Sequence, residues 1–263
     1  MTANLFNLSG KNIILTGGLG LLGREYLRAL AEYGAIVHVI DVLPAAQGET
    51  IVQPFSHATY HQADITKRED LERVCGEVLK QSATIDVLIN NAALNPKVEA
   101  GNQARSASQR FEDLDIADWN REIGVNLTGA VLACQVFGSA MSRGASIINA
   151  SSIYGVVGPD QRIYPPGFFK PATYGVTKGG LIALTKYLAT YWGEKGIRVN
   201  CMVLGGVENS QDPEFIRKYV ERTPLGRMAR PHDYSGLIVY LASDASSYAT
   251  GSIFTVDGGW TAW

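Results

Sequence analysis

The sequence predicts an α/β fold in which a doubly wound parallel sheet carries helices on both faces. Short apolar runs alternate with segments of helical periodicity through the first half of the chain. The first run, residues 12–16, leads through a glycine-rich turn directly into a helical segment. Such alternation is typical of parallel sheets, and right-handed crossovers distribute the helices over both faces.

The predicted elements follow one another with few interruptions. Strands are predicted at 12–16, 35–40, 58–63, 85–90, 146–152 and 252–260, and helices at 24–35, 67–81, 118–141, 174–192, after Pro213 and from Pro231. No linker-like stretch or shift of composition divides the 263 residues. We therefore expect one domain over residues 1–263.

Composition favours a small-molecule ligand. With a formal net charge of -2 and a pI near 6.1, the chain lacks the basic balance of proteins that bind nucleic acids or anionic membranes. No run approaches the 18 apolar residues of a membrane span, and the first residues lack a signal-peptide pattern, so we expect a cytoplasmic protein.

The cysteines and histidines do not follow the spacing of a metal site or of a disulfide framework. Three cysteines lie far apart and are expected to be buried free thiols: Cys75, Cys134 and Cys201. The four histidines are equally scattered, so no metal site is predicted.

The glycine-rich turn contains G-x-G-x-x-G, formed by Gly18, Gly20 and Gly23, between a strand and a helix. Glycines let the backbone turn tightly and approach a pyrophosphate, whose charge then lies on free N–H groups at the helix N-terminus. This is the Rossmann-type arrangement for binding a dinucleotide, although a plain tight turn is the alternative. The candidate cofactor-binding residues here are Gly17, Gly18, Leu19, Gly20, Leu21 and Leu22.

Asp41 ends the second predicted strand, 18 residues after Gly23. A carboxylate at this place accepts hydrogen bonds from the adenosine ribose hydroxyls and repels a 2′-phosphate. No arginine stands directly beside it. NAD is therefore predicted over NADP, the alternative being a turn or helix-capping aspartate.

Polar residues also follow the third and fourth strands. Because strand ends face the cofactor cleft in such sheets, Asp64 and Asn90 are expected near the adenine and its ribose, unless they only form turns. The cofactor-binding candidates at these ends are Asp64, Ile65, Asn91 and Ala92.

Tyr174 and Lys178 lie four residues apart near the start of a predicted helix, on one face. A phenol has a pKa of about 10, and a neighbouring ammonium stabilises its phenolate, so the pair can form a proton-transfer site. The alternative is two ordinary helix residues. Ser152, at a strand end, can share a hydrogen bond with Tyr174 and a substrate oxygen; Asn126, inside a helix, either bends it or holds a water.

The chain resembles a short-chain dehydrogenase/reductase over essentially its whole length. The motifs are TGGLGLLG at 16–23, NNAA at 90–93, VNLTG at 125–129, ASS at 150–152, YGVTK at 174–178, IRVN at 197–200 and TGSIFTVDGG at 250–259. The resemblance implies that Tyr174 exchanges a proton with the substrate, Lys178 lowers the pKa of Tyr174 and holds the nicotinamide ribose, and Ser152 orients the substrate. Asn126 would fix a water of a proton relay.

The resemblance also implies a backbone contact of Val207 with the nicotinamide carboxamide, a lid over residues 206–228 and a homotetramer, with a dimer as the alternative. The aromatic tail, Trp260 and Trp263, is expected to be buried against another subunit. The family's commonest glycine pattern is TGxxxGxG, and here Leu21 occupies one glycine position. That spacing resembles sugar-nucleotide epimerases and dehydratases, so an NAD-retaining epimerase is one alternative function; a dinucleotide-binding protein without turnover is another.

An insertion at residues 158–173, between Ser152 and Tyr174, is longer than the family's usual loop. Its Arg162 and Lys170 are candidates to meet a phosphate or carboxylate, and its aromatic residues, Tyr164, Phe168 and Phe169, could stack on a ring. A subunit contact or solvent cover is the alternative. A second polar loop contributes Asn95, Lys97, Gln103, Arg105 and Arg110. Together the loops favour a polar substrate. The stretches SSIYGVVGP at 151–159, with the insertion, and LTKYLATYW at 184–192 resemble flagellin-modification and surface-sugar oxidoreductases, which implies a sugar-derived hydroxyl.

Overall fold

The computed structural model describes residues 4–95 and 110–263, and within them seven parallel strands form one sheet. The strands are β1 (Asn12–Thr16), β2 (Ile36–Asp41), β3 (Ala58–Gln62), β4 (Val87–Asn90), β5 (Ser146–Ser152), β6 (Arg198–Leu204) and β7 (Ile253–Val256). Their order is β3-β2-β1-β4-β5-β6-β7, so the winding reverses between β1 and β4. The doubly wound Rossmann-type sheet is confirmed.

Eight α-helices connect the strands in the described ranges. They are α1 (Leu21–Glu32), α2 (Ala45–Val52), α3 (Arg68–Gln81), α4 (Ile116–Ile123), α5 (Gly129–Ser139), α6 (Ala172–Tyr191), α7 (Pro213–Glu221) and α8 (Ser235–Ala242). Helix α1 begins at Leu21 rather than at the predicted residue 24, because Gly20 already serves as its N-cap. The helix predicted over 118–141 contains a π-helical turn, Gly124–Thr128, between α4 and α5.

Each face of the sheet carries a helical layer, as the alternation predicts. Ile13 and Leu15 of β1 point to one face, where they belong to a core shared with α1 and α8. Ile14 points to the other face, in a core shared with α3, α5 and α6. Burying both faces in this way removes the apolar strands from water and provides most of the driving force for this fold.

Helix α2 and strand β6 have no counterpart among the predicted elements. In α2, Gly48 lowers helix propensity, but a β-carbon there would lie 2.3 Å from the ring of Tyr60, so close packing explains the glycine. Strand β6 is buried along nearly its whole length. Periodicity alone does not distinguish such a run from a buried helix.

A third hydrophobic cluster lies beyond the ends of β5 and β6, where the insertion packs against α7 and the C-terminal tail. Trp260 is only 2% exposed, and its ring lies 6.0 Å from that of Tyr219. The expectation that Trp260 meets another subunit is therefore wrong, because its own chain buries it. Trp263, in contrast, is 76% exposed.

The cysteine prediction is confirmed: Cys75, Cys134 and Cys201 are buried and unpaired. In the part of the chain that the structure describes, no helix combines the length and apolarity needed to cross a bilayer.

Candidate active site

A cavity of about 550 Å³ lies at the carboxyl edge of the sheet, beside the first turn of α1. Most of the predicted site residues line it: Gly17, Gly20, Leu21, Leu22, Asp41, Asp64, Ile65, Asn91, Ala92, Ser152, Tyr174, Lys178 and Val207. Gly18, Leu19 and Asn126 do not belong to the lining. The structure thus brings the predicted cofactor and proton-transfer residues into one cavity.

The tight packing of the glycine turn depends on Gly17 and Gly23. Gly17 has φ +62°, and a β-carbon there would lie 2.6 Å from Cα of Ala92; at Gly23 it would lie 2.2 Å from the Gly17 carbonyl oxygen. Gly20 has more room, since the nearest atom would be 3.4 Å away. Gly18 faces inward, where a β-carbon would lie 2.7 Å from the Val39 side chain. The two glycines that backbone atoms constrain, Gly17 and Gly23, match the ends of the TGxxxGxG spacing, and Gly18 is required by packing against the sheet.

The N-terminus of α1 opens onto the cavity. Its N-cap, Gly20, makes no side-chain capping bond, and Leu21 and Leu22 of the first turn line the cavity. The N–H groups of a first helical turn have no partner within the helix and attract anions. This surface fits a pyrophosphate.

Asp41 holds a fixed position at the end of β2. Its carboxylate accepts hydrogen bonds from the N–H of Leu19 at 3.1 Å and the N–H of Val42 at 2.8 Å. Leu19, buried in the core, thus contributes by orienting Asp41 instead of lining the cavity. Among the described lining residues the basic ones are Lys170 and Lys178, neither of which belongs to β2 or its loop.

The ends of β1 and β4 are joined by Thr16 and Asn91. The Thr16 hydroxyl accepts from the N–H groups of Asn91 and Ala92 at 3.1 and 3.2 Å, and the Asn91 amide donates to the carbonyls of Thr16 and Gly17 at 3.1 and 3.0 Å. These bonds fix the glycine turn at the point where the winding of the sheet reverses. Thr16, which positions the glycine turn, was not among the candidates, although it opens the first motif.

Asp64 faces the cavity, whereas Asn90 is buried inside the sheet. Asp64 lines the cavity, and its carboxylate accepts from the N–H and hydroxyl of Thr66 at 2.9 and 2.7 Å. Asn90 is 4% exposed, and its amide donates to Asn149 at 2.8 Å inside the sheet. The expectation that Asn90 faces the adenine is wrong, because its side chain joins a buried polar bridge between β4 and β5.

Ser152 ends β5, and Tyr174 lies in the first turn of α6, so strand and helix present two hydroxyls to the same cavity. Burial raises the pKa of the Tyr174 phenol above its ordinary value, and a hydrogen bond with Ser152 opposes that rise. Burial leaves the phenol a weaker acid than in water unless further positive charge is brought close.

Lys178 lies one helical turn after Tyr174. Its ammonium donates to the carbonyl of Ala150 at 2.7 Å and lies 5.7 Å from the centre of the Tyr174 ring. Burial lowers the pKa of Lys178 to about 8. Gly155 allows this approach, because a β-carbon there would lie 2.7 Å from the carbonyl carbon of Lys178. No role for Gly155 was predicted from the sequence.

Asn126 lies in the π-helical turn and is 1% exposed. Its side chain accepts from the N–H of Leu94 at 2.7 Å and donates to the carbonyl of Leu94 at 2.9 Å. Both polar ends thus hold the backbone that follows β4, and Leu94 in turn lines the cavity. A π-helical turn at such a position is frequent near functional sites.

The family assignment follows from comparison with known proteins. A family model described as enoyl-(acyl carrier protein) reductase matches residues 21–261, and many full-length relatives are dehydrogenases. The chain belongs to the short-chain dehydrogenase/reductase family. The narrower likeness to flagellin-modification enzymes stays a prediction.

Two curated relatives match along nearly the whole of both chains. A galactitol 2-dehydrogenase (L-tagatose-forming) of Cereibacter sphaeroides is 31% identical, covering 98% of each chain. A 2,5-dichloro-2,5-cyclohexadiene-1,4-diol dehydrogenase of Sphingobium indicum is 31% identical, covering 97% of this chain and 99% of the relative. A third, an uncharacterized short-chain type dehydrogenase/reductase of Sinorhizobium fredii, is 31% identical over 95% of this chain, which spans 44% of that protein.

Solved structures of the family differ in their cofactor. A short chain dehydrogenase of Leptospira borgpetersenii with bound NAD+ has a TM-score of 0.85 and 32% identity, covering 99% of this chain and 97% of that one. A gluconate 5-dehydrogenase of Burkholderia cenocepacia, in complex with NADP and tartrate, has a TM-score of 0.83 and 26% identity, covering 99% and 98%. The present chain is accordingly an oxidoreductase of a family that binds nicotinamide dinucleotides.

The two basic residues of the insertion in this short-chain dehydrogenase/reductase point in different directions, one toward solvent and one into the cavity. The side chain of Arg162 is 86% exposed, pairs with Asp160 at 2.8 Å and does not line the cavity. Lys170 lines the cavity, with its ammonium 2.5 Å from the Asn95 side-chain oxygen. The other loop candidates Lys97, Gln103 and Arg105 lie outside the described residues, and Arg110 is exposed.

The aromatic residues of the insertion pack on one another instead of standing free. The ring of Tyr164 lies 5.1 Å from that of Phe168 and 5.2 Å from that of Phe215 in α7, and Tyr164 lines the cavity. Phe169 is 39% exposed. The insertion therefore forms a wall of the cavity together with α7.

The segment predicted as a lid covers the same end. Val207 pairs with Ala229 in a β-bridge, and its carbonyl accepts from the Gln211 amide at 2.7 Å. The Tyr219 hydroxyl of α7 accepts from the N–H of Gly206 at 2.6 Å. These bonds connect α7 to the end of β6.

Proposed function

We propose that this oxidoreductase transfers hydride between NAD(H) and a secondary alcohol or ketone of a small polar substrate. The observation that carries the proposal is the shared cavity: Tyr174, Ser152 and Lys178 line the same space as the glycine turn and Asp41. A dinucleotide lying along the strand ends would bring its reactive ring to these side chains.

The residues present fit NAD. The helix N-terminus accommodates the pyrophosphate, and Asp41, held by two backbone N–H groups, faces the place of the adenosine ribose. A 2′-phosphate there would meet this carboxylate without a compensating arginine or lysine in β2 or its loop. NAD is therefore favoured over the NADP of the gluconate 5-dehydrogenase.

Side chains of the protein would accept the substrate proton and return it. Bound nicotinamide supplies the hydride acceptor or donor. Tyr174 would accept the alcohol proton during oxidation and return it during reduction, while Ser152 holds the substrate oxygen. Lys178 would stabilise the phenolate and bind the ribose hydroxyls, and the positive nicotinamide would add to its effect. Asn126 would act indirectly, by holding the backbone of Leu94 beside this proton path, because both polar ends of its side chain bind Leu94 and leave the predicted relay water without support.

A polar substrate is supported by the cavity wall. Asn95, Asn209 and Gln211 line it among aromatic residues. Two relatives are named for a polyol and a cyclic diol, which are small hydroxylated compounds. We therefore propose a sugar-derived or cyclic secondary alcohol as the substrate that binds in this cavity.

We further propose a homotetramer and a cytoplasmic location. Large apolar side chains on α6 are exposed, Tyr187 at 63% and Tyr191 at 62%, which is costly unless another subunit covers them. Sedimentation equilibrium at micromolar concentration tests this: a mass four times that of the chain is expected, and a monomer would contradict it.

The function is tested by following NADH formation with polyols, sugars and cyclic alcohols. NAD+ should support turnover at least about tenfold better than NADP+, corresponding to about 1.4 kcal/mol. Asp41→Asn should narrow this preference, whereas Asp244→Asn, a charge-matched change at an exposed carboxylate after α8 and outside the cavity, should not. Equal use of NADP+ would overturn the NAD assignment. Interconversion of sugar isomers without net NADH would favour the epimerase instead.

A further inference from the structure

Lys170 places a second buried ammonium beside Tyr174. The residue is 9% exposed, and its Nζ lies 4.2 Å from the centre of the Tyr174 ring. It lines the same cavity as Lys178. Lys178 is explained by the proposed reaction, whereas nothing in proton or hydride transfer requires Lys170.

The insertion is folded so that Lys170 points inward. The N–H of Lys170 donates to the Gln161 side-chain oxygen at 3.0 Å, and the Gln161 amide donates to the Lys170 carbonyl at 3.4 Å. This reciprocal pair fixes the backbone at the end of the insertion. The Lys170 ammonium then donates to the side-chain oxygen of Asn95, after β4, at 2.5 Å. Side chains in such a framework are pre-organised and lose little entropy on binding.

Charges of both signs lie around Lys170. Burial lowers its pKa to about 7; the carboxylate of Glu122 in α4 opposes this, and the ammonium of Lys178 adds to it. Glu122 is itself 8% exposed, and burial raises its pKa. Among the described residues, Tyr174 is a further titratable group in contact with Lys170. An anionic group beside Lys170 would favour its charged form.

We propose that Lys170 is a specificity residue that binds a carboxylate carried by the substrate close to its reacting carbinol. The inference rests on the proposed function of the same cavity. Because the ammonium lies over the Tyr174 ring, the carboxylate and the reacting hydroxyl must be few bonds apart. The substrate class is therefore a compact hydroxy acid, with its carbon skeleton against the aromatic wall of Tyr164 and Phe215.

The test compares two substrate analogues of nearly equal size, of which one is charged and the other is neutral. Cyclohexanecarboxylate and cyclohexanecarboxamide are titrated into the enzyme–NAD+ complex near pH 7 by calorimetry. The carboxylate should bind at least about tenfold more tightly than the amide, as for a hydrogen bond to a charged group. Lys170→Met should abolish that ratio, and Lys170→Arg should retain part of it. Arg162→Met removes the same charge from the exposed part of the insertion and should leave the ratio unchanged.

A second readout separates recognition from a structural role. Carboxylate binding should take up a proton, seen as a dependence of the heat on the ionisation enthalpy of the buffer, in the wild type but not in Lys170→Met. The double variant E122Q/K170M removes the Glu122 carboxylate together with the Lys170 ammonium, so no buried charge is left without its partner. The preference for the carboxylate over the amide should be lost in this variant as well. Cyclohexyl phosphate is the third arm, and tighter binding of the phosphate than of the carboxylate would overturn the choice of a carboxylate as the recognised group.

The outcomes distinguish this inference from the proposed function. Equal binding of carboxylate and amide, absence of binding by both, or a ratio retained in folded Lys170→Met would overturn the role of Lys170 while leaving NAD+ binding and alcohol turnover intact. Failure of NAD+ itself to bind the wild type would instead overturn the proposed function.

Discussion

At the scale of single residues, Gly17 and Gly23 determine how closely α1 approaches the end of β1. The sequence pattern correctly located the glycine turn. It did not show which glycines the packing requires, because that depends on the approach of Ala92 and of the turn's own carbonyl. Only hydrogen at these two α-carbons leaves the space that the turn occupies.

Gly23→Ala is expected to lower the free energy of unfolding by about 3 kcal/mol or more, since its β-carbon would overlap the Gly17 carbonyl oxygen. Gly20→Ala should cost under about 1 kcal/mol, because its nearest atom is at ordinary contact distance. Urea unfolding followed by circular dichroism measures both. Equal losses in the two variants would refute the assignment of the constrained glycines.

At the scale of elements, the active site depends on the distance between the end of β5 and the first turns of α6. Gly155 lies in the 3-10 turn after β5 and directly faces the backbone of Lys178. The Ser151 hydroxyl donates to the Lys178 carbonyl at 2.8 Å and closes the same contact. The helix bearing Tyr174 and Lys178 is thus held against the strand bearing Ser152.

Gly155→Ala should push α6 away from β5. We expect turnover to fall at least about tenfold, since small displacements of reacting groups are costly, while NAD+ still binds at the glycine turn. Gly158→Ala, in the same region with no atom within 4 Å of its added carbon, is the matched control. Unchanged turnover in folded Gly155→Ala would contradict this dependence.

The pairing of β2 with β3 contains a second element-scale feature, a buried contact between His38 and His61 at 3.3 Å. Burial lowers the pKa of His38 from 6.5 to about 4, and burial lowers that of His61 as well. A lowered histidine pKa means that the fold favours the neutral ring. Its contribution is present above pH 6.5 and is lost as the pH falls toward 4.

This shift predicts acid sensitivity. Between pH 7 and pH 4, His38 should remove about 3 kcal/mol from the free energy of unfolding. His38→Gln cannot take up that proton, so its stability should fall less over the same range. Urea unfolding at both pH values measures the difference, and parallel losses in the two proteins would exclude His38 as the cause.

At the scale of the whole molecule, the alternation of elements was sufficient to predict the sheet, because local periodicity and chirality determine how strands and helices alternate. The convergence of Ser152, Tyr174 and Lys178 on one cavity was also predictable, since these residues follow a strand end or share one helical face. The directions of Asn90 and Trp260 were not predictable, because they depend on partners distant in sequence, Asn149 and Tyr219. Arg162 turns away from the cavity because it pairs with Asp160, two residues before it, and the spacing of charges alone did not show that the pair would form.

Binding of the dinucleotide across the strand ends should stabilise the molecule as a unit. At a NAD+ concentration 100 times the dissociation constant, the gain is about 2.7 kcal/mol, which for a chain of this size raises the melting temperature by roughly 5–10 °C. NADP+ at the same concentration should give a much smaller rise. Calorimetric melting tests this, and a larger rise with NADP+ would reverse the interpretation of Asp41.

The proton-transfer role of Tyr174 is tested most directly by Tyr174→Phe, which removes one hydroxyl from the cavity. With the best alcohol substrate of the wild type, NADH formation should fall by at least about 10²-fold, the usual contribution of a general acid–base group. NAD+ should bind the variant with nearly unchanged affinity. Wild-type turnover in the folded, NAD+-binding variant would contradict the account.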